Sequence, residues 1–135
     1  MAIRKVTYFK TIIPNRAGQG AKVLTALSQA GVNLLAALGF PAGGGSQLDL
    51  VVKNRGALRR AARKAGVKLS APKTVFLVEG ADRAGALAAV LARLGSARIN
   101  VTAVSAARAG GARFGGLIWV KPGDVVKAAR ALKAR

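Results

Sequence analysis

The first 70 residues alternate between stretches with strand-like and helix-like patterns of apolar side chains. The earliest stretch is rich in β-branched and aromatic residues, which is typical of a strand. The next carries Val23, Leu24 and Leu27 at helical spacing, and Gly31 follows as a helix stop signal. A glycine-rich hairpin and a second amphipathic helix come later. The predicted elements are strand 6–13, helix 19–30, strands 32–40 and 47–53, helix 56–65 and strand 67–70.

The same pattern returns 67 positions later, in a single register without gaps. Chance does not hold one register over so much of a chain, so the sequence is a tandem duplication. We assign the two copies to residues 1–67 and 68–135. Matching residues include Arg16 and Arg83, Gly18 and Gly85, Leu27 and Leu94, and Asn33 and Asn100. The elements predicted in the second copy are strand 74–79, helix 86–97, strands 99–107 and 114–120, and helix 124–133.

Each copy has the element order βαββαβ, which predicts an α+β, ferredoxin-like fold with an antiparallel sheet and both helices on one face. The second copy reaches the end of the sequence directly after its second helix. We therefore expect residues 2–5 to complete it, as the beginning of one long strand 2–13, with residues 67–79 playing the reciprocal part. The second strands, 32–40 and 99–107, would then be free edges, through which we expect a homodimer.

Composition removes most catalytic chemistry from consideration. The 135-residue chain has no Cys and no His, so it offers no thiol, imidazole or zinc-thiolate site. Its four carboxylates, Asp49, Glu79, Asp82 and Asp124, are well separated in sequence, which leaves little for acid–base chemistry or a divalent cation. We therefore expect no catalytic residues, no metal and no cofactor. Because we find no targeting signal or membrane-spanning stretch, we expect a cytoplasmic protein without a membrane partner.

The charge balance points to a polyanionic partner. Lys and Arg number 23 against four carboxylates, which gives a formal net charge of +19. Such a charge would attract nucleic acid, an acidic membrane surface or an acidic protein. The alternative is that these residues only supply a solvated surface to a chain rich in alanine and glycine. The densest cluster is Arg55, Arg59, Arg60, Arg63 and Lys64.

Two short motifs recur in both copies and carry polar groups suited to a ligand. A turn before the first helix begins with Asn15 or Asp82, either of which can cap a helix, and ends with a glycine that permits a tight turn. The free N–H groups at such a helix start can also bind a carboxylate. Asn33 and Asn100 each stand at the start of the second strand. Because asparagine is unfavourable in strands, its amide is expected to serve as a donor and acceptor there.

The two motifs together resemble the ACT domain, the small-molecule regulatory module of amino-acid metabolism. Its hallmark is a D/N-x-P-G turn, a helix with aliphatic spacing and a G-[IV]-N-[IL] strand start. The resemblance covers nearly the whole chain and departs from the pattern at Ala17 and Ala84, where proline is usual, and at Arg98, where glycine is usual. The matching segments are Asn15-Arg16-Ala17-Gly18 with Gly31-Val32-Asn33-Leu34, and Asp82-Arg83-Ala84-Gly85 with Arg98-Ile99-Asn100-Val101.

The resemblance implies a non-enzymatic regulatory protein that binds a small amino acid at an interface between two ACT domains. The turn and helix start would hold the carboxylate of the ligand, and polar side chains would hold its amino group, with Asp82 able to pair with the ammonium. For Arg16 and Arg83, in the same turns, simple solvation is the favoured alternative. The candidate ligand-binding residues are Asn15, Arg16, Gly18, Asn33, Asp82, Arg83, Gly85 and Asn100.

Nucleic-acid binding is the second functional hypothesis. Residues 113–119, on the third strand predicted in the second copy, faintly resemble the aromatic third-strand motif of RNA-recognition domains, which share the βαββαβ order. The equivalent strand at residues 47–53 has no aromatic residue. Phe114 and Trp119 lie an odd number of positions apart and therefore face opposite sides of a regular strand. At most one of them would stack on a base bound to either face.

Overall fold

The computed structural model describes residues 1–135, which form six strands and four α-helices. The chain divides into two compact units, one of residues 7–73 and the other of residues 1–6 with 74–135. The assignment of the sequence copies to residues 1–67 and 68–135 stays a prediction. None of the helices has the length and apolar character that a membrane-spanning helix requires. The elements are β1 (Ala2–Ile13), α1 (Gln19–Gln29), β2 (Leu34–Ala42), β3 (Gly45–Val52), α2 (Arg55–Ala65), β4 (Lys73–Ala81), α3 (Ala86–Ser96), β5 (Val101–Gly110), β6 (Arg113–Val120), the 3-10 turn Pro122–Asp124 and α4 (Val125–Leu132).

In the unit of residues 7–73, strands β2, β3 and β1 lie in that order and pair antiparallel. The register between β1 and β3 runs from Thr7 opposite Val52 to Ile13 opposite Ser46. Both helices pack against the same face of these strands, because residues of α1 and α2 share one core with residues of the sheet. That core consists of Phe9, Val23, Leu27, Leu50, Val52, Leu58 and Ala61.

The unit of residues 1–6 and 74–135 repeats this plan with β5, β6 and β4 in that order. Its core includes Phe76, Val90, Leu94, Ile118, Ala128 and Leu132, so α3 and α4 also share one face. The α+β, ferredoxin-like class predicted from the sequence is confirmed, with antiparallel strands and helices repeated twice. Strand β4 is buried on both faces, because four consecutive residues, 75–78, are all buried.

Residues 2–6 are the first part of β1 and belong to the same compact unit as the second copy. Ile3 lies in the core cluster that contains Phe76. The N–H of Lys5 donates to the carbonyl of Arg135, and the N–H of Arg135 donates to the carbonyl of Ile3, both at 3.0 Å. Arg4 Nη2 lies 3.0 Å from Glu79 Oε1 in a partly exposed ion pair. The N-terminal segment is therefore held to this unit by packing, by backbone hydrogen bonds and by charge.

The expected fourth strand at residues 67–70 is wrong, and the long strand expected over 67–79 begins only at Lys73. The backbone of Ser70 donates to the carbonyl of Lys10 at 2.9 Å, but the N–H of Lys10 is taken by the Ser70 hydroxyl at 3.0 Å. Because a side chain accepts where a backbone carbonyl would, no ladder propagates from this point. Pro72 lacks the N–H that would continue a ladder.

Candidate functional site

The helix after each turn begins at a glycine in the left-handed conformation. The N-caps of α1 and α3 are Gly18 (φ 84°) and Gly85 (φ 79°), and neither helix has a side-chain cap. Glycine adopts this conformation without the steric cost that a Cβ atom imposes. The expectation that Asn15 or Asp82 caps the helix is therefore wrong. Both residues stand three positions before the N-cap, and both side chains bond elsewhere.

The two turns differ in the contact that their first residue makes. Asn15 Oδ1 accepts a hydrogen bond from Ser46 Oγ at 3.1 Å, which ties the first turn to the β2–β3 hairpin. Asp82 Oδ2 lies 3.2 Å from Nε of Arg108 on β5, and the Asp82 N–H donates to the carbonyl of Ala112 at 2.9 Å. The second turn therefore carries an ion pair, whereas the first carries a neutral hydrogen bond.

A cleft of about 330 Å³ beside α3 joins the second turn to β5. Its charged groups are the carboxylate of Asp82 and the guanidinium groups of Arg83 and Arg108. Leu87 and Ala88 also line it, and their N–H groups, in the first turn of α3, have no partner within the helix, whereas the N–H of Ala86 donates to the carbonyl of Arg83 at 3.2 Å. The cleft therefore combines one negative charge, two positive charges and free amide donors. Its remaining lining is Gly85, Ala86, Ala106, Ala107 and Phe114.

Arg108 is a candidate site residue that the sequence motifs do not reveal. Its place opposite Phe114 is set by the register of β5 and β6, which shifts between Arg108 and Gly110. The signal that could have indicated it is a cation in an otherwise small and uncharged strand, residues 101–110. That signal gives no partner, because the pairing with Asp82 depends on the folded hairpin.

A second cleft, of about 600 Å³, lies in the other unit beyond the C-terminal end of α1. Asn33 lines it with an exposed side chain, beside the cations Lys53 and Arg55. Asn54 lines it too but already caps α2, because its Oδ1 accepts from the N–H of Ala57 at 3.0 Å. The lining contains no carboxylate, so this cleft is purely cationic in charge.

Within either unit, the turn and the asparagine lie at opposite ends of a helix. Helices α1 and α3 have 11 residues each, about 16 Å at 1.5 Å per residue. The turn precedes the helix and the asparagine follows it, so the two motifs do not meet inside one unit. The structure brings together Asp82, Arg83 and Gly85, whereas Asn100 does not line their cleft. Asn15, Arg16 and Gly18 are likewise separated from Asn33.

The aromatic residues of β6 are not available to a nucleic acid. Phe114 is 8% exposed and belongs to the core of its unit, and Trp119 is 6% exposed. The sequence placed them on opposite faces of the strand, and both faces are covered at these positions. Base stacking on this strand, which the resemblance to RNA-recognition domains implied, is therefore wrong.

Comparisons with known proteins identify the fold. No protein-family model matches the chain, and no curated protein matches it. Among solved structures, protein BT0572 from Bacteroides thetaiotaomicron matches with a TM-score of 0.82 at 18% identity, covering 97% of this chain and 88% of that one. The ligand-free regulatory subunit of aspartate kinase from Thermus thermophilus matches with a TM-score of 0.64 at 18% identity, covering 98% and 95%.

A whole enzyme also contains this fold. Aspartate kinase from Clostridium acetobutylicum matches with a TM-score of 0.59 at 17% identity, covering 96% of this chain and 33% of that one. The chain therefore has a fold found both in a separate regulatory subunit of aspartate kinase and within the complete enzyme. At these identities the likeness establishes the fold alone.

Proposed function

We propose that this chain is a non-enzymatic, cytoplasmic regulatory protein of the ACT type that binds a small amino acid and passes that state to a protein partner. The observation that best supports it is the cleft beside α3, which offers both signs of charge and free amide donors. The fold, shared with a regulatory subunit of aspartate kinase, supports the regulatory role. The net charge of +19 favours an acidic partner.

The cleft beside α3 is complementary to the two charges of an α-amino acid. The Asp82 carboxylate would accept from the ammonium group of the ligand, and the N–H groups of Leu87 and Ala88 at the start of α3 would donate to its carboxylate. Ala106 and Phe114 supply an apolar wall. A volume of about 330 Å³ suits a small amino acid better than a large metabolite.

The ion pair between Asp82 and Arg108 is weak enough for a ligand to displace. Their side chains are 40% and 69% exposed, and ion pairs exposed to this extent contribute about 0–1 kcal/mol. The ligand ammonium would take the place of Arg108 beside Asp82. The freed guanidinium would then be available to the carboxylate of the ligand.

A homodimer through the second strands would bring the separated motifs together. Strands β2 and β5 each pair with a single neighbour and are the sheet edges of their units. In an antiparallel pairing of two copies of β2, the start of one strand faces the end of the other. Asn33 of one protomer would then approach the hairpin to which Asn15 is bonded through Ser46. The same pairing of β5 would bring Asn100 towards the Asp82 turn.

A thermal-shift screen against the proteinogenic amino acids, followed by isothermal titration of those that respond, tests this proposal. Asp82→Asn removes the charge and keeps the shape, and we expect it to weaken binding by about 1–3 kcal/mol, roughly 5–150-fold. The double variant Asn33→Ala, Asn100→Ala should weaken binding by a similar amount if the dimer completes the site. Sedimentation of the parent with and without ligand reports the oligomeric state.

Asp124→Asn is the matched control, because Asp124 is a carboxylate of the same unit that does not line the cleft. It should bind the amino acid as the parent does. A parent that responds to no amino acid would contradict the proposed function. An Asp82→Asn variant with unchanged affinity would leave the function standing but would remove Asp82 from the site.

A further inference from the structure

Helix α2 presents a continuous basic surface. Its inward face is Leu58, Ala61 and Ala62, all buried, and packs into the core of residues 7–73. Every other long side chain of the helix is cationic and exposed, so the outward face contains no acidic or apolar side chain larger than alanine. We call this surface the α2 basic face, and it consists of Arg55, Arg59, Arg60, Arg63 and Lys64.

The charges of the α2 basic face have no counter-ion within their unit. The one carboxylate of residues 7–73 is Asp49, which is 4% exposed and accepts a hydrogen bond from Gln47 Nε2 at 2.8 Å. Arg55 Nε donates to the Thr7 hydroxyl at 3.0 Å, and the Arg59 guanidinium lies 5.3 Å from the centre of the Phe9 ring. Neither contact neutralises charge. Five like charges on one short helix repel one another unless an external anion joins them.

The cations of the α2 basic face could serve only to keep the surface solvated. The equivalent helix of the second copy shows whether the fold needs them for that purpose. The corresponding helix α4 also packs one face into the core of its unit, through Ala128 and Leu132. Its residue at the position of Arg59 is Val126, which is 65% exposed. The same fold is therefore built with two cations at these five positions instead of five. The residues equivalent to the α2 basic face are Pro122, Val126, Lys127, Arg130 and Ala131.

The chemistry of the α2 basic face favours duplex nucleic acid over a membrane surface or a single strand. A membrane-binding helix inserts apolar side chains, and those of α2 are already buried. Sites for single strands stack bases on aromatic rings, and this face has none. Four of the five cations are arginines, whose planar guanidinium groups bind phosphate oxygens in pairs. A duplex carries about one charge per 1.7 Å of its axis, so a helix of about 16 Å meets several phosphates at once.

We propose that the α2 basic face binds the phosphate backbone of double-stranded nucleic acid without reading base sequence. Side chains that contact phosphates position a protein on the duplex and carry no sequence information. The surface lies in the unit of residues 7–73, whereas the amino-acid cleft lined by Asp82 and Arg108 lies in the other. The two proposals therefore concern different residues and can fail separately.

Fluorescence anisotropy of the full chain with labelled 20-base-pair duplexes of two unrelated sequences tests this proposal. Neutralising about five phosphates gives a salt slope of about −4.5, so affinity should fall roughly 500-fold between 50 and 200 mM salt. Both sequences should bind equally. The triple variant Arg59→Gln, Arg60→Gln, Arg63→Gln should lower the magnitude of the slope by about 2.7 and reduce the affinity at low salt at least 10-fold.

The matched control is Lys121→Gln, Lys127→Gln, Arg130→Gln, which removes the same charge from exposed positions around α4. It should retain most of the binding and most of the slope, and circular dichroism should show both triple variants folded. Equal losses in the two variants would mean diffuse attraction and would overturn the proposal. It would also be overturned by no duplex binding at 50 mM salt, by tighter binding of a single strand, or by anionic phosphatidylserine vesicles competing the duplex away.

Discussion

The two copies match at several buried core positions and differ more in their exteriors. Phe9 and Phe76 are both 1% exposed, and Leu27 and Leu94 are 1% and 0% exposed. Even the register shift of the edge strands recurs, at equivalent positions of β2 and β5. Outside the core, α2 carries five cations where α4 carries two. Packing tolerates few changes in a core and many on a surface, which accounts for the larger differences at exposed positions.

The turns show the same divergence on a smaller scale. The residue equivalent to Arg108 in the first copy is Pro41, and the residue equivalent to Ser46 in the second copy is Arg113. Asn15 has no charge and its unit offers no cation in this place, whereas Asp82 pairs with one. Under the proposed function, the second unit is the one that provides a carboxylate for the ligand ammonium, and the first would bind amino acids more weakly.

Equal burial of the equivalent leucines Leu27 and Leu94 predicts similar costs when each is truncated. Leu27→Ala and Leu94→Ala should each lower the free energy of unfolding by about 2–5 kcal/mol, because each leaves a cavity in a fully buried site. Urea denaturation measures the loss. Leu24→Ala is the control: Leu24 is 38% exposed, so its truncation should lower the free energy of unfolding by less than about 1 kcal/mol. A difference of more than about 2 kcal/mol between the two variants would show that the Leu27 and Leu94 sites are not equivalent in energy.

The N-terminal segment packs with the unit of residues 74–135, so a substitution in it should destabilise that unit selectively. Ile3 is 5% exposed in the core of the second unit, so Ile3→Ala should cost an amount at the lower end of about 2–5 kcal/mol. Hydrogen exchange followed by mass spectrometry should show faster exchange in α3 and α4 than in α1 and α2. Lys5→Ala, which changes an exposed side chain of the same strand, should leave exchange unchanged. Equal acceleration in all four helices would contradict this assignment.

The sequence was sufficient for the fold because the fold depends on periodic apolar positions. The helix predicted at residues 19–30 is found at 19–29, and the long strand predicted at 2–13 is found with those bounds. The strand predicted at residues 67–70 is absent for a local reason that the pattern of apolar residues does not reveal. There the Ser70 hydroxyl takes the N–H of Lys10 and prevents a backbone ladder.

The candidate site was less accessible to sequence reasoning, because it depends on contacts between distant residues. The motifs indicated Asp82, Arg83 and Gly85, which line one cleft, and left open whether Asp82 caps the helix or contacts a ligand; the cap is excluded, because Gly85 is the N-cap of α3. Arg108 reaches the cleft through a hairpin register that shifts near the end of β5. A single sequence contains no local signal for such a pairing, so Arg108 was missed.

The smallest predicted effect comes from two helix ends where both copies have a left-handed backbone but different residues adopt it. The first copy has glycine there, Gly31 (φ 78°) and Gly66 (φ 70°), whereas the second has Arg98 (φ 59°) and Lys133 (φ 52°). A Cβ atom makes this conformation costly by about 1–2 kcal/mol, partly offset by the greater freedom of glycine in the unfolded chain.

Arg98→Gly and Lys133→Gly should therefore each raise the free energy of unfolding by about 0.5 kcal/mol, a Tm increase of roughly 1–2 °C. Differential scanning calorimetry measures the shift. Arg98→Ala removes the same charge and keeps the Cβ atom, so it should give no gain and separates backbone strain from charge repulsion. An equal gain from alanine would show that the benefit comes from lowering the net charge. In that case the left-handed turns of the two copies would be equivalent in energy despite their different residues.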